Sequence, residues 1–335
     1  MSNAAGVVTS KVLTPKGGAP ADPRGTRQRR HGQGARGRVS RALGRRTTWV
    51  AIAFVAPVVV YLVAFYAYPL VQNTAMSMHR YDRASFVTGD APFVGFDVFG
   101  EVIGQARFWR VVGQTATFTL VSISVQFLVG LALAVFFQNN FKLSATLRAL
   151  FLVPWLLPVI VSGTTWQWMM NPDNGAMNTL VGWFGVEPVW WLNAENALMS
   201  VTIANIWLGI PFNLVILYSG LQAIPQTLYE AAAIDGAGPW RRFWSITMPL
   251  LRPVTLITLL LGLVYTLKVV DIIWIMTMGT GTSQTLATWS YGMAFGKGTS
   301  GVIQYSEASA VGSILLIVAL LFGLVYVAIQ QREEK

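Results

Sequence analysis

Six apolar stretches, each long enough to cross a bilayer, limit what this chain can fold into. They lie at about 48–70, 112–137, 148–170, 198–221, 251–276 and 307–329, and a membrane helix needs roughly 20 apolar residues. The expectation is an all-α membrane protein with six transmembrane helices. Pro57, Pro154, Pro158 and Pro211 fall inside these spans. Membrane helices tolerate proline, which there often marks a kink.

Composition agrees. Of 335 residues, 54% are hydrophobic and 11% charged, too apolar a balance for an ordinary soluble domain. The formal net charge of +10 is confined to one end. Residues 1–46 carry eleven of the 24 Lys/Arg and a single acid, Asp22. The rest is neutral, so the charge describes a tail and not a nucleic-acid-binding surface. That tail, rich in Gly, Ala, Pro and Arg, is expected to be a disordered basic cytoplasmic segment ahead of a membrane domain at 47–331. No apolar stretch near Met1 resembles a cleavable signal, so the first span would serve as an uncleaved anchor. With no cysteine, thiol nucleophiles, disulfides and Cys-ligated metals are excluded. His31 and His79 are the only histidines and do not form a metal-binding pattern.

Orientation follows from the basic residues between spans. With the N-terminus inside, the cytoplasmic side holds the tail, Lys142, Arg148, Arg241, Arg242, Arg252, Arg332 and Lys335. The outside holds only Arg80, Arg83, Arg107, Arg110 and Lys297, and Lys268 lies within a span. Both termini are therefore expected in the cytoplasm of a cell (inner or plasma) membrane protein, as is the loop 226–250.

That loop reads as a two-part element. "QTLYEAAAI" favours a helix after Pro225. Asp235-Gly236 supplies a stop, because glycine accepts the left-handed conformation that ends helices. Pro239 suits the first turn of a second short helix, "PWRRFWSI". Ala231, Ala232 and Ala233 offer a smooth face for a soluble partner.

The order Glu230-Ala231-Ala232, three residues, Asp235-Gly236-Ala237, and then Ile-x-Met-Pro resembles the "EAA" loop of binding-protein-dependent ABC permeases. Met248 stands where that family usually has Leu. The resemblance covers roughly 47–331. It includes "TLRALFLVPWLLPVIVSGTTWQWMMNPDNGAMN" (146–178) and "NIWLGIPFNLVILYSGLQAIPQTLYEAA" (205–232), the latter similar to the first permease subunits of maltose- and glycerol-phosphate-type systems. "VVDIIWIMTMGTGTSQTLATWSYGMAF" (269–295) resembles the same branch, with Gly279-Thr280-Gly281 in place of Gly-Gly-Pro and Val270 in place of Phe.

The resemblance implies a type I ABC importer permease fold and a set of partners. These are a second related permease, two cytoplasmic ATPase subunits docked on the coupling loop, an extracytoplasmic solute-binding protein, and the lipid bilayer. The chain has no Gly-x-x-x-x-Gly-Lys-[Ser/Thr] loop, so it is expected to be no enzyme itself, with ATP and Mg²⁺ held by the partner ATPase. In maltose-type relatives, the positions matching Asn205, Leu208, Gly209 and Phe212 line the sugar path. Those matching Leu261, Val264, Tyr265 and Lys268, aligned with a one-residue gap near Pro253, also contribute there.

Other readings remain beside these. Lys268 and Asp271, three apart, would share a helical face, and a structural ion pair weighs as much as solute contact. Trp190 and Trp191 fit an interfacial belt, whereas Trp207 is open between solute stacking and packing. The fourth-span segment suits a neutral, hydroxyl-rich solute such as a sugar or polyol. Glycerol phosphate or another anion partnered by Lys268 is the alternative. A secondary transporter would want more intramembrane carboxylates than Asp271, and a membrane enzyme would want a catalytic constellation that is absent from the sequence.

Overall fold

The computed structural model describes residues 51–139, 141–297 and 301–333. The expected basic tail, 1–46, lies outside them. The chain divides into two units, Met1–Val63 and Ala64–Lys335. The described part of the first, 51–63, is helical. The second carries the packing described below.

The helices run in chain order: α1 (Ala51–Ser77), α2 (Arg83–Thr88), α3 (Asp97–Ile103), α4 (Ala106–Gln138), α5 (Ser144–Leu156), α6 (Val159–Met169) and α7 (Ala176–Gly182). There follow α8 (Ala197–Gln222), α9 (Gln226–Ile234), α10 (Pro239–Leu267), α11 (Asp271–Thr277), α12 (Leu286–Ala294) and α13 (Tyr305–Glu333). No strand forms among the described residues; a single bridge joins His79 and Phe93. Five helices are long and apolar enough to cross a membrane, and a sixth span results if the bent pair α5–α6 counts as one.

Two of the six expected spans are broken. Within 148–170 the chain turns by 95° between α5 and α6. Leu157, at the break, is extended (φ −75°, ψ 140°) because the following Pro158 disfavours the helical conformation there. Pro154 stays inside α5 without interrupting it. The fifth span ends at Leu267, and after Lys268–Val270 the chain starts the separate helix α11. No glycine or proline marks this second break; the β-branched pair Val269-Val270 is the only local hint. The second short helix expected at Pro239 is also not separate. It runs through a π-helical turn at Phe243–Thr247 into one helix that ends at Leu267.

α4 and α8 run parallel and pack most intimately. Gly130 of α4 lies against Asn213 and Leu214, and Gly209 of α8 lies against Gln126. Close backbone approach through small residues is the usual means of holding membrane helices together, since burying apolar side chains gains little when the solvent is hydrocarbon. Three apolar clusters follow one another along the bundle. Val111, Trp289 and Val311 mark the first, Phe118, Trp166 and Ile273 the second, and Leu131, Leu217 and Leu251 the third. Large apolar side chains elsewhere point outward, among them Leu320, Leu321 and Leu324 of α13, as a lipid-facing surface requires.

Candidate functional site: solute path, coupling loop and end pocket

A polar seam runs down α4. Thr115, Thr119, Ser122 and Gln126 recur every three or four residues, so they share one helical face, and all four are buried. Gln126 Nε2 donates to the Asn205 carbonyl at 2.9 Å. Asn213 Nδ2 donates to the Gly209 carbonyl, also at 2.9 Å. Thr119 Oγ1, Ser122 Oγ and Asn205 Nδ2 are buried with no hydrogen-bond partner among the described residues.

This geometry changes the picture of the expected solute path. Asn205 is only 3% exposed, and Gly209 holds the Gln126 carboxamide where a Cβ would otherwise sit. Both therefore face α4. Leu208 packs on the central cluster, and Phe212 meets Trp155 edge-on at 6.2 Å. Leu261, Tyr265 (61% exposed) and Lys268, by contrast, are exposed to differing degrees, with Val264 half-buried beside them. Within this chain, then, the two expected groups face different ways.

Lys268 and Asp271 do not share a helix. Lys268 caps the end of α10 and Asp271 opens α11. Among the described residues the ion pair is Arg80–Glu101, so the expected Lys268–Asp271 pair is corrected: the break between the helices separates them. The tryptophans are also sorted. Trp207 packs edge-on against Trp166 at 5.9 Å. Trp190 is exposed, as an interfacial residue would be, but Trp191 is buried and donates from Nε1 to Asn178 Oδ1 at 2.7 Å. Sequence reasoning missed Asn178. Its amide also accepts from Val189 N and donates to the carbonyls of Pro172 and Val189, which ties together the loop ahead of α8.

At the other end of α8, the loop 226–250 closes with a complete C-terminal motif. Gly236 N–H bonds the Ala233 carbonyl at 3.1 Å, and Ala237 N–H bonds the Ala232 carbonyl at 2.8 Å. Gly236 sits at φ +77° with no atom near the place a side chain would take, so the demand for glycine comes from the backbone alone. Glu230, Ala231, Ala233, Asp235 and Gly236 lie at the surface to differing degrees, while Ala232 and Ala237 are turned further in. Three successive alanines cannot share one helical face, because each step turns about 100°. Ile234 (88%), Trp240 (74%) and Trp244 are exposed around the corner, and the Tyr229 hydroxyl joins Thr247 Oγ1 at 2.9 Å, bracing α9 against α10.

At the end opposite this loop lies a pocket of about 440 Å³. Arg107, Arg110, Gln114, Trp274, Trp289 and Lys297 line it, together with the turn Met278–Gly281. Arg107 lies 5.6 Å from the Trp289 ring centre and donates from Nε to Gln284 Oε1 at 2.9 Å. In the sequence these cations counted only towards orientation. The spacing 107, 110, 114 on one helical face was the available signal.

The helical architecture, with a broken third span and a capped helix–corner element between the fourth and fifth, is that of a polytopic helical membrane protein. The family model "Binding-protein-dependent transport system inner membrane component" matches residues 126–335, and this chain belongs to that family. It is 35% identical over 280 residues to the trehalose/maltose transport system permease protein of Thermococcus litoralis, covering 82% of this chain and 91% of that one. To the sulfoquinovosyl glycerol transport system permease protein of Agrobacterium fabrum it is 29% identical, with 87% and 96% covered. To the diacetylchitobiose uptake system permease protein of Streptomyces coelicolor it is 27% identical, with 91% and 94% covered. The fold is that of a chain of a bacterial ABC transporter involved in the import of the acidic polysaccharide alginate, with a TM-score of 0.73, 22% identity, and 89% and 100% covered.

Proposed function

We propose that this chain is a permease subunit of an ABC importer for a carbohydrate or related polyol. It pairs with a second, related permease, receives solute from an extracytoplasmic binding protein, and takes its energy from two cytoplasmic ATPase subunits that hold ATP and Mg²⁺. Both termini and the loop 226–250 face the cytoplasm. The observation that carries this reading is the capped corner at Gly236, with Ile234, Trp240 and Trp244 exposed around it. A rigid apolar projection beside the charged Glu230 and Asp235 suits insertion into a cleft of a soluble partner. The carbohydrate class is supported by the named relatives, whose described solutes are sugars or sugar derivatives.

The experiment is a cysteine pair, one at exposed Ala231 and one in the ATPase cleft, combined with uptake by Gly236→Val. Crosslinking, together with lost uptake at normal membrane levels, is expected. Absence of a crosslink alongside normal uptake by Gly236→Val refutes the coupling role. Co-purification of an ATPase separates this reading from an ion-driven transporter. The expected neutral solute now competes with an anionic one, because the segment best suited to hydroxyl groups, Asn205–Gly209, is turned towards α4.

A further inference from the structure

Arg107, Arg110 and Lys297 share one pocket, and no carboxylate lines it among the described residues. Two of these cations stand in the first turns of α4, a 33-residue helix. The helix dipole is positive there and favours anions, so cations at this end lose stability instead of adding it. All three are exposed, so water screens their repulsion, and they stand available to an anionic ligand.

The remaining lining fits a polar, ring-shaped ligand. Gln114 lines the pocket, and its amide oxygen, buried from solvent, has no hydrogen-bond partner among the described residues. Whichever way the amide is flipped, one polar atom there is unsatisfied, which costs stability, and a rotation of the side chain into the cavity would offer that atom to a ligand. Arg107 is held by Gln284 through Nε and stacked over Trp289, which leaves Nη1 and Nη2 without a protein partner among the described residues. A guanidinium fixed in this way presents paired N–H groups to a carboxylate or similar oxyanion. Half-buried Trp274 adds aromatic surface, which suits the apolar face of a pyranose ring, while Trp289 is buried beneath Arg107 and serves to hold it. The volume, about 440 Å³, is within the range of small-ligand pockets. Asp271 lines a separate neighbouring cavity that shares Trp274.

We propose that this pocket binds the acidic group of an anionic sugar, the ring lying against the Trp274 indole and the carboxylate between Arg110, Lys297 and the free edge of Arg107. The proposal rests on the carbohydrate-import reading and assigns that solute a negative charge.

The test uses the purified full chain in lipid nanodiscs, without ATPase or binding protein, so that it can fail while the transport reading stands. Calorimetric titration with sodium glucuronate is compared with methyl glucoside and inorganic phosphate. Saturable glucuronate binding is expected, weakened by added salt, with none for methyl glucoside. Arg110→Gln/Lys297→Gln should weaken glucuronate binding about tenfold or more, the scale of one lost charge-assisted contact. These two residues are chosen because Arg107 also packs against Trp289, and the double variant is first checked for a thermal unfolding midpoint no lower than that of the unsubstituted chain. Lack of glucuronate binding, or binding unchanged in the double variant, overturns the site. Full displacement of glucuronate by equimolar phosphate overturns the sugar assignment and leaves a plain anion site.

Discussion

Gln126 occupies the space that any side chain at Gly209 would need. Its amide donates to the carbonyl of Asn205, one turn before Gly209 on the same helix. This side-chain-in-socket fit joins α4 to α8 at their closest approach. It also explains why the fourth span carries a glycine with an asparagine one turn to either side, Asn205 and Asn213.

Replacing Gly209 should therefore act first on packing. In Gly209→Ala the new methyl group forces the Gln126 carboxamide out of its hydrogen bond, and overpacking of this kind costs about 1–3 kcal/mol. Thermal unfolding in detergent should register that loss. Gly209→Ala/Gln126→Ala should be less destabilised than the sum of the single variants, since removing the amide vacates the socket. Strict additivity would show that the two residues do not share the space.

Gly236 should rank its replacements by backbone preference. Its φ of +77° is one that asparagine tolerates, alanine tolerates at about 1–2 kcal/mol, and a β-branched residue resists most. Uptake, normalised to membrane level, should fall in the order Gly, Asn, Ala, Val. Equal activity for Asn and Val would mean that the corner conformation is not needed.

Lys268 and Asp271 should behave independently. In the structure a helix break parts them and they form no ion pair. A double-mutant cycle of Lys268→Gln and Asp271→Asn should give a coupling energy within about 0.5 kcal/mol of zero. A larger coupling would indicate that the pair forms in another state of the transporter.

Asp82 should make α2 sensitive to acid. Its carboxylate accepts the Ser85 backbone N–H at 2.7 Å and also the Ser85 hydroxyl. These bonds, the backbone one foremost, hold its pKa below the usual carboxylate value. A lowered folded pKa means that the cap's contribution is present above the unfolded pKa, about 3.9, and is lost as pH falls through the folded value. Hydrogen exchange at Ser85, corrected for the intrinsic rate, should show protection that is constant above about pH 5 and falls below about pH 4. In Asp82→Ala that step should be absent.

Much of the site was legible locally, and the parts that were not had local exceptions or distant partners. Asp235-Gly236 followed by Pro239 announces a helix stop and restart, because a left-handed residue and a fixed φ are properties of single residues. The break at Leu157 was half-announced by Pro158. The one at Lys268–Val270 was not, since no glycine or proline stands there. Asn205 and Gly209 were visible as unusual, but what they touch was not, because Gln126 comes from 79 residues before Asn205.

The sequence by itself determined that the chain is a helical membrane protein with a capped corner between its fourth and fifth spans. Apolar length, proline and glycine act within a few residues, and lipid leaves the backbone few alternatives to helix. Only the tertiary structure decided which face each helix presents. It turned the polar positions of α8 towards α4 instead of towards an open path. It separated Lys268 from Asp271. It gathered Arg107, Arg110 and Lys297, from distant parts of the chain, around one pocket. Those outcomes depend on side chains from different helices competing for the same space, which no local pattern encodes.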